Sequence, residues 1–142
     1  HLKLARRTGR SVLLVFLDVD RLKTINDSLG HHVGDRALMR LADILRDTFR
    51  QSDIVARMGG DEFAVMALEA TEANEKELLE RLRDRVREIN SRTKEAYSLS
   101  ISLGTARFDG EGRTRLDDLL TQADRMMYEE KRAKRKARGG EE

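Results

Sequence analysis

Six consecutive apolar residues, Val12-Leu13-Leu14-Val15-Phe16-Leu17, run directly into Asp18-Val19-Asp20. A strand with one wet face alternates apolar and polar residues. An unbroken apolar run needs cover on both faces, so Ser11 to Asp18 is expected to form an interior strand of a layered domain. The run falls far short of the roughly 20 residues that span a bilayer. The strand would deliver Asp18 and Asp20 at its carboxyl end.

The rest of the chain supplies the layers. Ahead of the strand, Leu2 to Arg7 reads as the end of a helix closed by Gly9. After it, a short helical stretch from Arg21 to Leu29 ends at Gly30. Leu38, Leu41, Ala42, Leu45 and Phe49 then recur at helical spacing, in a helix that stops near Arg50 to Asp53. Ile54 to Met58 and Asp61 to Met66 flank Gly59-Gly60 and predict a hairpin in which the two glycines supply positive φ angles. A helix over about Ala73 to Arg92 carries Leu78, Leu79, Leu82, Val86 and Ile89 on one face. A strand is expected over Ser98 to Leu103, and a last helix presents Leu116, Leu119, Leu120, Ala123, Met126 and Met127. This order predicts an α/β sandwich, with helices flanking a central, mostly antiparallel sheet.

A chain of 142 residues builds one core, so 1–142 is read as a single domain. No charged-then-apolar leader opens it, which predicts a cytoplasmic domain. Without cysteine, any metal must be held by oxygen or histidine. Charged residues make up 38% of the chain but leave a net charge of only +2, which argues against a dedicated nucleic-acid binder. Six of the eight residues from Lys131 to Arg138 are basic.

Asp18, Asp61 and Glu62 are the acids placed for chemistry. If strand and hairpin pair, their carboxylates converge at one edge of the sheet, a hard-oxygen set suited to Mg²⁺ together with a nucleotide triphosphate. Two metals there would lower the pKa of an attacking hydroxyl and neutralise charge on a transferring phosphoryl group. Asp20 is expected to cap the helix near Arg21, whose N–H groups can hold phosphate, with Lys23 as a nearby positive charge. A strand ending in Asp-x-Asp and a Gly-Gly-Asp turn are each common alone.

Together they are not. Gly59-Gly60-Asp61-Glu62-Phe63 spells the motif that names the GGDEF domain family of diguanylate cyclases, and the chain resembles that family almost throughout. Asp18 to Asp27 with Gly30-His31-His32-Val33-Gly34-Asp35 is similar to its D-x-D-x-F-K-x-I-N-D…G-H-x-x-G-D segment, with Leu22 in place of the usual phenylalanine. Ser100 to Gly104 resembles its S-I-G strand, and Ala123 to Lys131 its A-D-x-A-L-Y-x-A-K helix. The chain begins after the D-x-L-T-G-L-x-N-R segment that usually opens such a domain, so a GGDEF domain with a truncated N-terminal edge is expected.

The resemblance implies a nucleotidyl-cyclase, palm-like fold and the condensation of two GTP molecules into cyclic di-GMP and two pyrophosphates across a homodimer. It implies Mg²⁺ or Mn²⁺, two per site, held by Asp18, Asp61, Glu62 and the Val19 carbonyl, with Asp61 assisting deprotonation of the ribose 3′-hydroxyl and Glu62 close by. Asn26 and Asp35 would read guanine, Lys23, Lys131 and Arg135 would contact the triphosphate, and Gly59 and Gly60 would lie against the nucleotide. Arg132, Lys134, Lys136 and Arg138 are expected to form a solvated face, and His31 and His32 to hold no metal.

Nine residues before Gly59, Arg50-Gln51-Ser52-Asp53 matches the family's product-inhibition site, with Arg81 as a secondary contact. The resemblance also implies a sensory or regulatory domain elsewhere in the parent protein. The alternative is a non-catalytic GGDEF domain acting as a GTP or cyclic di-GMP receptor. An RNA-binding sheet would need exposed aromatics for stacking, and four Phe and two Tyr show no such pattern.

Overall fold

A computed structural model describes residues 9–68, 71–108 and 114–139, so the expected helix end at Leu2 to Arg7 lies outside the described residues. The apolar run forms β1 (Val12–Val19), and all eight of its residues are buried. The chain continues through α1 (Leu22–Leu29), α2 (His31–Thr48), β2 (Ile54–Arg57), β3 (Glu62–Leu68), α3 (Glu72–Arg92), β4 (Ile101–Phe108) and α4 (Leu116–Ala137). The strands form one sheet in the order β2-β3-β1-β4, and every pairing is antiparallel.

The alternation of side chains along β1 explains why the run is unbroken. Leu13, Val15, Leu17 and Val19 enter a core with α2 and α3 residues such as Leu41, Leu45 and Leu82. Val12, Leu14 and Phe16 face the opposite way, onto Leu119, Ala123 and Met127 of α4. Asp18 and Asp20 continue this second row, which aims them at α4. Gly104 allows α4 to sit close, because a Cβ there would overlap the Ala123 carbonyl and lie 2.6 Å from the Met127 amide nitrogen.

Two expectations are corrected by backbone hydrogen bonding. β4 begins at Ile101 rather than Ser98 and runs on to Phe108. The Asn90 side chain captures both the N–H and the carbonyl of Leu99, at 2.7 and 2.8 Å, and so removes that residue from the ladder. At the β2–β3 turn neither Gly59 nor Gly60 has a positive φ. The turn is closed instead by the Met58 N–H donating to the Glu62 carbonyl at 2.8 Å, and by the Arg57 guanidinium donating to the carbonyls of Gly59 and Gly60. The glycines contribute bare surface: a Cβ on Gly60 would meet nothing within 4 Å.

Candidate active site

Register brings the acids together. Asp18 pairs with Glu62 across β1 and β3, and opposite residues of an antiparallel pair share a face. Asp61 precedes Glu62 at the turn, and one carboxylate oxygen from each of Asp18, Asp61 and Glu62 lies within 4.8 Å of the others. Among the described residues this is the one group of three potential ligands so close together; His31 and His32, at the exposed start of α2, lie outside it. The Val19 N–H donates to the Asp61 carbonyl at 3.4 Å. A strand residue presents its N–H and C=O to the same edge, so the Val19 carbonyl also points toward the turn.

Asp18 divides its carboxylate between two tasks. Its Oδ2 takes the Lys131 ammonium at 2.8 Å, while its buried Oδ1 has no hydrogen-bond partner. Burial raises the Asp18 carboxyl to about 6, with Asp61 and Asp20 adding to the effect and Lys131 only partly offsetting it. Burial works against the Lys131 charge as well, but Asp18 and the neighbouring acids hold its ammonium above the usual value. A buried, unpartnered carboxylate oxygen is costly unless a cation completes it. An unpartnered Asp18 oxygen, with Asp18 itself grouped closely with two further carboxylates, therefore fits a hard divalent ion such as Mg²⁺.

Around this cluster, Arg21 takes a left-handed conformation at φ 58 and ψ 31 and starts α1 without a side-chain cap. Lys23 is exposed in the first turn. Asn26 lies over Gly34, the residue before Asp35, where a Cβ would overlap Asn26 Oδ1. Asp35 lines an open concavity of about 520 Å³ between α2 and the hairpin, together with Leu38, Val55, Arg57 and Phe63. Arg135 is half-buried one turn beyond Lys131 on α4.

Asp20 and Lys134 have different roles from those expected. Asp20 does not cap α1. Its carboxylate accepts from Ser100 Oγ and Ser102 Oγ, both at 2.6 Å, and from Lys134 Nζ at 2.7 Å. Burial alone would raise its pKa; these donors outweigh burial and lower it. Lys134 is correspondingly not part of a solvated face, since it also donates to the Ile101 carbonyl. Arg132 and Lys136 are exposed, whereas Arg138 is half-buried. The spacing that would have revealed Lys134 is its offset of three from Lys131, matched against the offset of two between Asp20 and Asp18. Arg57, which fixes the Gly59-Gly60 turn, carried no sequence signal of that role.

Arg50, Asp53 and Arg81 line one concavity of about 390 Å³ with Leu68, Asn74 and Leu78. The half-buried Asp53 has its side chain only 3% exposed and accepts from the Arg50 and Leu68 amides at 3.0 and 3.1 Å, fastening the end of β3 to the α2–β2 turn. Arg50 is mostly exposed and donates to the Leu68 carbonyl at 2.6 Å, and Arg81 donates to the Thr48 carbonyl at 3.1 Å.

Comparison with known proteins identifies the family. The family described as "Diguanylate cyclase, GGDEF domain" matches residues 1–137. The diguanylate cyclase DosC of Escherichia coli is 38% identical over 130 residues, which is 90% of this chain and 28% of DosC, so the chain spans under a third of that relative. The diguanylate cyclase SiaD of Pseudomonas aeruginosa, solved in complex with its activator SiaC, superposes with a TM-score of 0.83 at 32% identity, covering 93% of this chain and 50% of SiaD. The GGDEF domain of DgcB from Caulobacter crescentus, solved in complex with c-di-GMP, gives 0.79 at 27% identity, covering 92% and 78%. With a family match over nearly its whole length and a palm-like sheet carrying the acids at one end, the chain belongs to the diguanylate cyclase GGDEF domain family.

Proposed function

We propose that this domain condenses two GTP molecules into cyclic di-GMP. The observation that carries the reading is the intact Asp18, Asp61 and Glu62 cluster, with the Asp18 Oδ1 left open for a cation. Mg²⁺ or Mn²⁺, two per site, would be held by these carboxylates and the Val19 carbonyl, and would neutralise triphosphate charge and acidify the ribose hydroxyl. Asn26 and Asp35 orient guanine, a carboxylate being suited to accept its N1 and N2 hydrogens. Lys23, Lys131 and Arg135 hold the triphosphate, and Gly59 and Gly60 let the nucleotide lie against the turn. Asp61 receives the 3′-hydroxyl proton, with Glu62 beside it. Each 3′-oxygen then attacks the α-phosphorus of the GTP on a facing second copy, and pyrophosphate leaves in line.

Concentrated protein incubated with GTP and Mg²⁺ should yield cyclic di-GMP, identified by mass spectrometry. Because the site is shared, initial rates should rise with more than the first power of protein concentration. GTP binding without product would transfer the assignment to a receptor domain.

The second concavity supports feedback by the product. Arg50 is its accessible guanidinium, suited to guanine O6 and N7, while Asp53 and Arg81 complete the wall. Titration of cyclic di-GMP should inhibit the wild type and leave Arg50→Ala much less sensitive; equal sensitivity would remove the inhibitory site from the proposal.

A further inference from the structure

Two ion pairs join α4 to the end of β1: Lys131 to Asp18 at 2.8 Å, and Lys134 to Asp20 at 2.7 Å. The first lies within the proposed active site, and the second is set apart from it. Asp20 is outside the group of close carboxylates, and both of its oxygens are already occupied. Lys134 likewise points inward, to Asp20 and the Ile101 carbonyl. Asp20 already accepts from three protein donors, and Lys134 also lies 3.5 Å from Glu130. The pair nevertheless adjoins the segment that a nucleotide would meet.

Asp20 is the last residue before the left-handed Arg21, and its N–H is tied to the Ser100 carbonyl at 2.8 Å. A non-glycine residue in that region persists only where its surroundings hold it. Here the side chain of the preceding residue is held by three donors from β4, its approach segment and α4. Beyond the turn, α1 starts with no side-chain cap, so its first N–H groups remain available to an anion. Before the turn stands Val19, whose N–H donates to the Asp61 carbonyl at 3.4 Å.

We infer that Lys134 is a positioning residue for nucleotide binding: through Asp20 it holds the turn at Arg21 that sets the Val19 carbonyl and the α1 amides in place. The inference rests on the nucleotide-site reading given above. Loss of a supporting group one step removed from a metal site typically weakens binding by about 10- to 100-fold.

The test is equilibrium binding of Mn²⁺ with a GTP analogue carrying a methylene bridge between the α and β phosphorus atoms, measured well below the melting temperature. Lys134→Met should bind about tenfold more weakly than wild type. Lys134→Arg, which restores a cationic donor to Asp20, should recover most of the loss. In turnover, the effect should appear in KM more than in kcat. A merely structural lysine would lower Tm and leave low-temperature affinity unchanged, and that outcome overturns the inference. Should the methionine variant fail to fold, Ser102→Ala removes one donor from the same carboxylate; weaker binding supports the inference and wild-type affinity overturns it. If wild type itself binds no analogue, the nucleotide-site reading falls and takes the inference with it. If wild type binds and the variants match it, only the inference falls.

Discussion

Asp18 gathers most of the site's electrostatics on one side chain. In the proposed site metal and proton would compete for it, because a ligating carboxylate must be ionised. With burial raising its carboxyl to about 6, apparent Mn²⁺ affinity should fall roughly tenfold per pH unit below that value and level off above it. Mn²⁺ titrations followed by electron paramagnetic resonance across this range would show it; a flat profile would contradict the raised value. Gly34 gives a second prediction. The Cβ of Gly34→Ala would overlap the flexible end of Asn26, so the fold should adjust cheaply while Asn26 is displaced. Tm should change little and GTP affinity should drop by about tenfold, equivalent to roughly 1.4 kcal/mol. The clustering of Asp18, Asp61 and Glu62 was legible only from the strand and hairpin motifs taken together, since each is common alone. Asp20 was not, since Asp before a helix fits a capping pattern and only tertiary structure supplies Ser100, Ser102 and Lys134 as better partners. In the same way, a basic run does not mark which lysine points inward.

At the level of elements, the hydrophobic pattern was a good guide wherever a face is buried against one neighbour. The β1 run, the α2 and α3 stripes and the hairpin arms lie where their periodicity puts them. Element ends were less legible. β4 starts three residues later than alternation suggested because Asn90 takes both polar groups of the Leu99 backbone, a side-chain substitute for a strand partner that no local pattern records. The Gly59-Gly60 turn was located correctly, but its geometry depends on Arg57. The contact between β4 and α4 is sharper still. At Gly104→Ala the obstructing atoms are helix backbone, which cannot rotate aside as a side chain can. The substitution should destabilise the domain by about 2 kcal/mol or more, read from denaturant unfolding, with wild-type stability as the contrary result.

Among the described residues, the two-sided burial of β1 separates two cores on opposite faces of the sheet. The layer architecture was readable from that strand alone, while the face each helix covers had to come from the structure. Among the described residues, no helix is long and apolar enough to cross a membrane. The Lys131 ammonium on Asp18 has a consequence at this scale. Many metal sites are electrostatically unsatisfied when vacant, so that folding waits on the ion. Here a tethered organic cation on Asp18 Oδ2 already tempers the repulsion, which leaves only the unpartnered Oδ1 for an inorganic ion to satisfy. Exhaustive treatment with a chelator should therefore leave the melting temperature nearly unchanged, and a large fall would show that the lysine is no substitute. On the proposed function, such a domain would fold in a metal-poor interval and wait for nucleotide to arrive with its own cation.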